Sequence, residues 1–210
     1  MPSVGSRLGV IHIIIFPMPY KNHKQYRLPG YDYSSTGDYF ITICTKDRIH
    51  QFGKIVQTID DVIIELSPIG AFVKASIQSI SETYKGVTLG ETVVMPNHVH
   101  LIICLPPVGT RRGVYLQSPL QQIMSPHKGL ISLTPGSVSS IINHLKGKVK
   151  KWCNANGFEC FQWQARFHDI IIKNSEAFDN ISRYVANNIY KWDEDENNEK
   201  GNKYRKDMRT

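Results

Sequence analysis

Long apolar runs are missing from this sequence. The apolar stretch from Val10 to Phe16 has seven residues, whereas a membrane-spanning helix needs about 20. The chain has no internal repeat, and its cysteines form no Cys-x-x-Cys pair. They stand singly at Cys44, Cys104, Cys153 and Cys160. Scattered cysteines argue against a disulfide framework or a cysteine zinc site and favour reduced thiols. We therefore expect no membrane partner and a cytoplasmic location.

Acidic residues are the minority among the charged ones. The chain has 25 Lys and Arg against 18 Asp and Glu, a net charge of +7. This surplus suits an anionic partner such as nucleic acid, but it indicates neither a fold nor a specificity. The 210 residues, 41% of them hydrophobic, are enough for one domain with a buried core.

Two histidines open an apolar strand in the middle of the chain. His98 and His100 flank Val99, directly after the break at Pro96-Asn97. Because side chains on a strand alternate between faces, both imidazoles point the same way. Such a pair can hold one divalent metal ion. Since a bare His-x-His is common, the spacing alone also allows two half-exposed histidines at the start of a strand.

Hydrophobic periodicity predicts elements in the order β-β-α-β-β-α-β-α. The predicted strands are 38–45, 50–57, 87–94, 98–105 and 161–173, the second pairing back on the first as a hairpin. Helices are expected to begin where a capping side chain precedes an apolar stripe, at Ser67-Pro68, Ser137 and Asn174-Ser175. The last helix would run through Trp192. This order predicts an α+β sheet covered by helices.

Three segments fall outside the predicted core: an N-terminal extension over 1–25, a long basic loop over 106–136 and a polar tail over 193–210. We expect the tail to be poorly ordered. The loop carries Arg111 and Arg112, and both a nucleic-acid contact and a tolerated insertion remain open for it. Lys146 and Lys150 lie off the apolar stripe of the second helix, where they would hold phosphates or form a solvated face.

Three blocks of sequence together resemble one known family. The first is Met95-Pro96-Asn97-His98-Val99-His100-Leu101-Ile102, with Tyr39-Phe40-Ile41-Thr42-Ile43-Cys44-Thr45 before it in the chain. The second is Phe161-Gln162-Trp163-Gln164 with Phe167-His168-Asp169. The third is Tyr184-Val185-Ala186-Asn187-Asn188. In this order they resemble the single-tyrosine HUH transposases, and most of all the REP-associated tyrosine transposases. The resemblance covers about residues 26–192. It implies a ferredoxin-like antiparallel sheet with helices packed on it, and it places the histidine pair on a central strand.

The resemblance also implies a chemistry. Tyr184 would be the nucleophile, and Asn188, one helical turn later, would join His98 and His100 as a ligand of Mg²⁺ or Mn²⁺. The reaction would be cleavage and strand transfer of single-stranded or hairpin DNA through a 5′-phosphotyrosine bond. His168 would be an accessory group. The implied protein is a bacterial, nucleoid-associated monomer or homodimer.

Residues before the first strand are further candidates for DNA contact, among them Arg27 and Tyr31, although a polar arm would have the same composition. Tyr190 is a minor alternative nucleophile. The chain departs from the family pattern at Ile189, where proline is common, and at Ile170, where a second histidine is common. These departures leave its activity open.

Other functions remain open as well. The chain could be a domesticated hairpin-binding protein that cleaves little, or an RNA-binding domain with the same layout, which would need exposed aromatic residues on its middle strands. A metal hydrolase that activates water would need a carboxylate beside the histidines, and the sequence offers no obvious one.

Overall fold

The structure is a computed structural model that describes residues 31–107 and 134–198. Within these residues lie the strands β1 (Gly37–Cys44), β2 (Gly53–Gln57), β3 (Val62–Leu66), β4 (Thr88–Val94), β5 (His98–Leu105) and β6 (His168–Ile172). The helices are α1 (Pro68–Gln78), α2 (Ile80–Thr83), α3 (Val138–Ala155) and α4 (Ser175–Ala186). Short 3-10 helices cover Lys46–Arg48 and Ile189–Glu194.

Four strands form the main sheet, in the order β4-β5-β1-β6. All three pairings are antiparallel. The path from β1 through α1 to β4, and from β5 through α3 to β6, leaves a strand between the two ends of each crossover. This is the ferredoxin-like arrangement, so the predicted fold class is confirmed.

The two faces of the sheet bury different sets of side chains. Alternate residues of β1 and β5 pack with α1 and α3 in the larger core, namely Tyr39, Ile41, Ile43, Val99, Leu101 and Ile103. The intervening residues face α4, and with its Val185 they form a second cluster that includes Phe40 and Ile102. Because His98 and His100 share the parity of Ile102, they open onto the face that α4 covers.

The helix starts agree with the sequence prediction. Ser67 Oγ accepts a hydrogen bond from the Gly70 amide at 3.1 Å, and Ser137 and Asn174 cap α3 and α4 in the same way. Each cap satisfies an amide that the first helical turn leaves without an intrahelical partner. Among the described residues, no helix is long and apolar enough to cross a membrane.

The predicted hairpin between the first two strands is wrong. β2 pairs with β3 in a separate two-stranded sheet, while the partners of β1 are β5 and β6. The local sequence predicted β2 as a strand but not its partner. The partners of β1 depend on how the helical connections arrange the strands in the main sheet, which local sequence does not reveal. The fifth predicted strand, 161–173, is also shorter, because only His168–Ile172 joins the sheet.

The last helix ends earlier than predicted. α4 stops at Ala186, and the chain continues from Asn188 into the 3-10 helix. Asn187 Nδ2 donates to the Arg183 carbonyl at 2.8 Å. This side chain competes for a carbonyl at the helix end, which is why asparagine disfavours helix continuation. The resulting bend turns residues 193–198 back toward the sheet.

Candidate active site

The two histidines converge through their Nε2 atoms. His98 Nε2 lies 3.1 Å from His100 Nε2, and both rings are buried, with exposed fractions of 0% and 2%. Thr42 and Cys44 on β1 lie opposite them in register. Both histidines therefore sit on an inner strand of the sheet, where the backbone is fixed by hydrogen bonds on each side.

Each imidazole is held in place through its other nitrogen. His98 Nδ1 is 2.9 Å from Asn97 Oδ1, and His100 Nδ1 is 2.9 Å from Thr42 Oγ1. Since Asn97 Oδ1 can only accept, His98 donates from Nδ1 and keeps a lone pair on Nε2. If His100 likewise donates to Thr42, both Nε2 lone pairs point into the same space. Such supporting contacts orient histidine ligands in metal sites.

A carboxylate and an amide complete the cluster from the C-terminal side. Asp195 Oδ2 lies 3.9 Å from His98 Nε2 and accepts a hydrogen bond from Asn188 Nδ2 at 3.1 Å. One ligand atom each from His98, His100 and Asp195 lie within 4.8 Å of one another. Both Asp195 and Asn188 are buried. The sequence offers no obvious carboxylate beside the histidines, and the structure places Asp195 there.

A hydrogen-bond network ties this segment to the loop before β5. Asn97 Nδ2 donates to the Asn197 carbonyl at 2.7 Å, and the Asn197 amide donates to Asp195 Oδ1 at 2.6 Å. Trp192 stacks beside the His98 ring, with centroids 6.1 Å apart. Asp195 is thus held by its own neighbours as well as by Asn188.

Burial controls the protonation of the site. Desolvation, followed by the charge of Arg48, lowers the pKa of His98 to about 3. Desolvation and the charge of His98 hold the pKa of His100 well below its usual value, with Asp195 acting in the opposite direction. Both imidazoles are therefore neutral near pH 7, the form that binds metals.

Tyr184 stands at the mouth of this cluster. Its hydroxyl lies 3.4 Å from His100 Nε2, and 38% of the residue is exposed. The ring contacts Phe40 edge-on and lies 5.4 Å from the His100 ring, centroid to centroid. Desolvation, reinforced by Asp195, raises the pKa of the hydroxyl. The phenol is thus protonated at neutral pH and needs activation before it can act as a nucleophile.

The donor set fits a small divalent cation. Nitrogens 3.1 Å apart have the spacing of neighbouring ligands around one ion, with bonds of about 2.1 Å at roughly 95°. Asn188 Oδ1 is buried and has no hydrogen-bond partner among the described residues. A buried acceptor of this kind needs an explanation, and a cation beside it supplies one. The buried group of His98, His100 and Asp195 could therefore hold a metal ion.

The other predicted site residues lie in different surroundings. His168 is opposite Thr42 on β6, so it shares the sheet face of His100 one strand further on. Burial, and then Arg48, lowers its pKa. Tyr31 lies in an aromatic cluster with Tyr33 and Tyr39, on the opposite side of the sheet from the histidines. Tyr190 is exposed.

The predicted DNA-binding cations divide into two groups. Lys146 Nζ donates to the carbonyls of Gln164 and Arg166, and Lys150 Nζ donates to two carbonyls of the same connection. They hold α3 to the segment before β6, a role that the sequence did not reveal; their contact with DNA stays a prediction. Arg27, Arg111 and Arg112 lie outside the described residues, as do most of the loop 106–136 and the N-terminal extension.

Comparison with known proteins supplies a family. No family model matches the chain. An uncharacterized protein of Haemophilus influenzae is 31% identical over 176 residues, which cover 83% of this chain and 92% of that protein. This chain belongs to the same family as that protein. The relationship spans nearly the whole relative.

Among solved structures, the chain is similar to the REP-associated tyrosine transposase bound to a REP hairpin. The TM-score is 0.51 at 19% identity, over 80% of this chain and 74% of the other. At this identity the likeness shows the fold. The resemblance indicated by the three sequence blocks is therefore confirmed at the level of the fold.

Proposed function

We propose that this protein is a metal-dependent endonuclease and strand transferase for single-stranded DNA, acting through a 5′-phosphotyrosine intermediate on Tyr184. The observation that carries the proposal is one convergence of atoms. The Tyr184 hydroxyl lies 3.4 Å from His100 Nε2, which itself lies 3.1 Å from His98 Nε2. A nucleophile beside two neutral nitrogens that can hold a metal ion suits transesterification of a phosphodiester.

The residues that would hold the metal are His98, His100, Asn188 through Oδ1, and Asp195. Imidazole nitrogens with amide and carboxylate oxygens suit Mn²⁺, and Mg²⁺ by its preference for oxygen. When bound, the ion supplies charge that stabilises the phosphate oxygens as they become more negative. Asn97 and Thr42 fix the imidazoles, and α4 carries both Tyr184 and the turn to Asn188.

In the reaction, the Tyr184 oxygen attacks phosphorus and the bond from phosphorus to the 3′ oxygen breaks. The hydroxyl proton leaves the tyrosine, and the departing 3′ oxygen takes up a proton. The products are a 5′-phosphotyrosine and a free 3′-hydroxyl. Because one phosphodiester replaces another, the step can run backward onto a different 3′ end without an external energy source.

The substrate proposed is an unpaired strand beside a hairpin. The net charge of +7 supplies long-range attraction to phosphates, and the similar solved transposase is bound to a hairpin. Arg27, Arg111, Arg112, Lys146, Lys150 and Tyr31 remain candidate contacts, and His168 remains a candidate accessory group. A monomer or homodimer in a bacterial cytoplasm would serve this activity.

A second candidate function is metal-dependent hydrolysis by water. Asp195 favours it, since a buried carboxylate 3.9 Å from His98 Nε2 is placed to accept a proton from a nucleophilic water. Hydrolysis would leave no protein–DNA bond. A third candidate is a hairpin-binding protein that cleaves weakly, and the experiment described next distinguishes all three.

The test is a covalent adduct on a denaturing gel. A labelled pool of hairpin oligonucleotides with randomised single-stranded flanks is incubated with protein in Mn²⁺ or in EDTA. We expect a metal-dependent adduct with the wild type and with Tyr190→Phe, the matched control, and none with Tyr184→Phe, which should still bind the pool. Cleavage without an adduct would favour hydrolysis, binding without cleavage would favour the hairpin-binding protein, and an adduct in Tyr184→Phe would refute the assignment.

A further inference from the structure

Arg48 occupies an unusual backbone position next to the histidine pair. It follows β1 in the short 3-10 helix Lys46–Arg48, and both Asp47 and Arg48 have positive φ, at 54° and 55°. For a residue with a Cβ this conformation costs roughly 1–2 kcal/mol. Strain of this kind persists only where the surroundings hold it, and it is frequent at functional sites.

Asn97 fixes the backbone of Arg48 and the ring of His98 together. Its Nδ2 donates to the Arg48 carbonyl at 3.0 Å, and its Oδ1 lies 2.9 Å from His98 Nδ1. The Asn97 side chain is fully buried. The base of the arginine side chain is therefore fixed relative to a candidate metal ligand, through one shared amide.

The guanidinium of Arg48 has an unused donor. Arg48 Nη1 is buried and has no hydrogen-bond partner among the described residues. No carboxylate of that part of the chain forms an ion pair with it. Its charge lowers the pKa of His98, His100 and His168, so it acts on the whole group of imidazoles. A buried cation donor without an anion beside it is costly unless a ligand supplies the anion.

We propose that Arg48 binds a non-bridging oxygen of the DNA phosphate at this site. The inference rests on the proposed function for the identity of the anion, a phosphodiester of single-stranded DNA. A guanidinium offers several donors in a fixed plane, which suits phosphate. Arg48 is then a phosphate-binding residue that holds the backbone of the DNA strand against the histidine pair.

Binding is measured without cleavage, by fluorescence anisotropy of a labelled oligothymidylate of twenty nucleotides in EDTA across a salt series. The variants are Arg48→Gln and Arg48→Lys. Lys85→Gln is the control, because Lys85 is exposed and lies before β4, at the end of the sheet far from His98. Thermal unfolding of each variant verifies folding.

We expect Arg48→Gln to bind roughly tenfold more weakly, the loss of one charged hydrogen bond. The slope of log K against log salt should fall by about 0.7, the value for one phosphate contact on a single strand. Arg48→Lys should keep the slope and recover part of the affinity, and Lys85→Gln should match the wild type. In Mn²⁺, adduct formation should fall in Arg48→Gln and partly return in Arg48→Lys.

Unchanged affinity and slope in Arg48→Gln would overturn the inference, as would an equal loss in Lys85→Gln. If Arg48→Gln fails to fold, Arg48→Lys decides: a wild-type slope supports the contact and a reduced slope contradicts it. Failure of the proposed function gives a different result, since the wild type would then form no adduct while the binding comparison still tests Arg48.

Discussion

Replacing Asn97 should damage stability and metal binding together. Its side chain makes three hydrogen bonds: to His98 Nδ1 at 2.9 Å, to the Arg48 carbonyl at 3.0 Å and to the Asn197 carbonyl at 2.7 Å. Asn97→Ala removes all three and leaves the partners buried without compensation. It also removes one of the hydrogen bonds that hold the segment carrying Asp195 to the sheet.

The expected losses of stability and of metal affinity follow from these contacts. At about 1 kcal/mol for each hydrogen bond, the free energy of unfolding should fall by about 3 kcal/mol. With a urea m-value of about 2 kcal/mol/M, the midpoint should move down by about 1.5 M. Loss of the contact that orients a histidine ligand costs roughly 10–100-fold in metal affinity, so Mn²⁺ binding should weaken by that factor.

Two measurements and two controls test this reasoning. Urea unfolding followed by circular dichroism gives the stability, and calorimetric titration with MnCl₂ gives the affinity. Thr42→Val removes only the His100 Nδ1 contact, so it should weaken Mn²⁺ binding with a loss of about 1 kcal/mol in stability. Asn156→Ala removes one exposed side-chain bond at the end of α3 and should change neither. If Asn97→Ala binds Mn²⁺ like the wild type, the shared-amide argument is refuted.

Two further predictions concern the ligands and the packing of α4. His98→Ala and His100→Ala should each abolish metal-dependent adduct formation. Asn188→Ala should reduce it less, because water can replace a neutral amide. Equal adduct yields in all three variants and the wild type would contradict the proposed ligands. Gly90→Ala should destabilise the fold by about 1–3 kcal/mol and slow adduct formation. The new Cβ would lie 3.0 Å from Ile102 Cβ and 3.2 Å from Phe178 Cζ, and this crowding would displace α4. A urea midpoint equal to that of the wild type would disprove the prediction.

The main sheet was predictable because its signals are local. The alternation around His98 and His100, the caps at Ser67 and Asn174, and the apolar stripes of α1 and α3 each need only a few residues to be recognised. The pairing of β2 was not predictable in this way. Its partner β3 (Val62–Leu66) has only five residues, and local periodicity does not separate it from the loop before α1. Without β3, the sequence leaves β1 as the nearest strand with which β2 could pair.

The sequence marks some of the residues that the structure brings together at the candidate site, and it does not mark Asp195. His98 and His100 carry a strand spacing, and Tyr184 and Asn188 carry a helical one. Asp195 lies in an acidic, polar stretch that has the composition of a solvated tail. It reaches the site because α4 ends at Ala186 and the 3-10 helix turns the chain back. Hydrophobic periodicity does not predict that a segment turns back in this way.

Asp195 changes the electrostatics that the sequence alone implied. Two imidazoles and an amide are neutral, so a divalent ion held by them would keep its full charge for the phosphate. A carboxylate among the ligands removes one unit of that charge while favouring hard cations such as Mg²⁺ and Mn²⁺. Arg48, bound to the same asparagine that holds His98, adds one unit back from the β1 side. With both groups in place, a divalent ion held there would leave two net positive charges for a phosphate of the proposed substrate. We therefore expect Arg48 and Asp195 to act as a pair and their single substitutions to be non-additive.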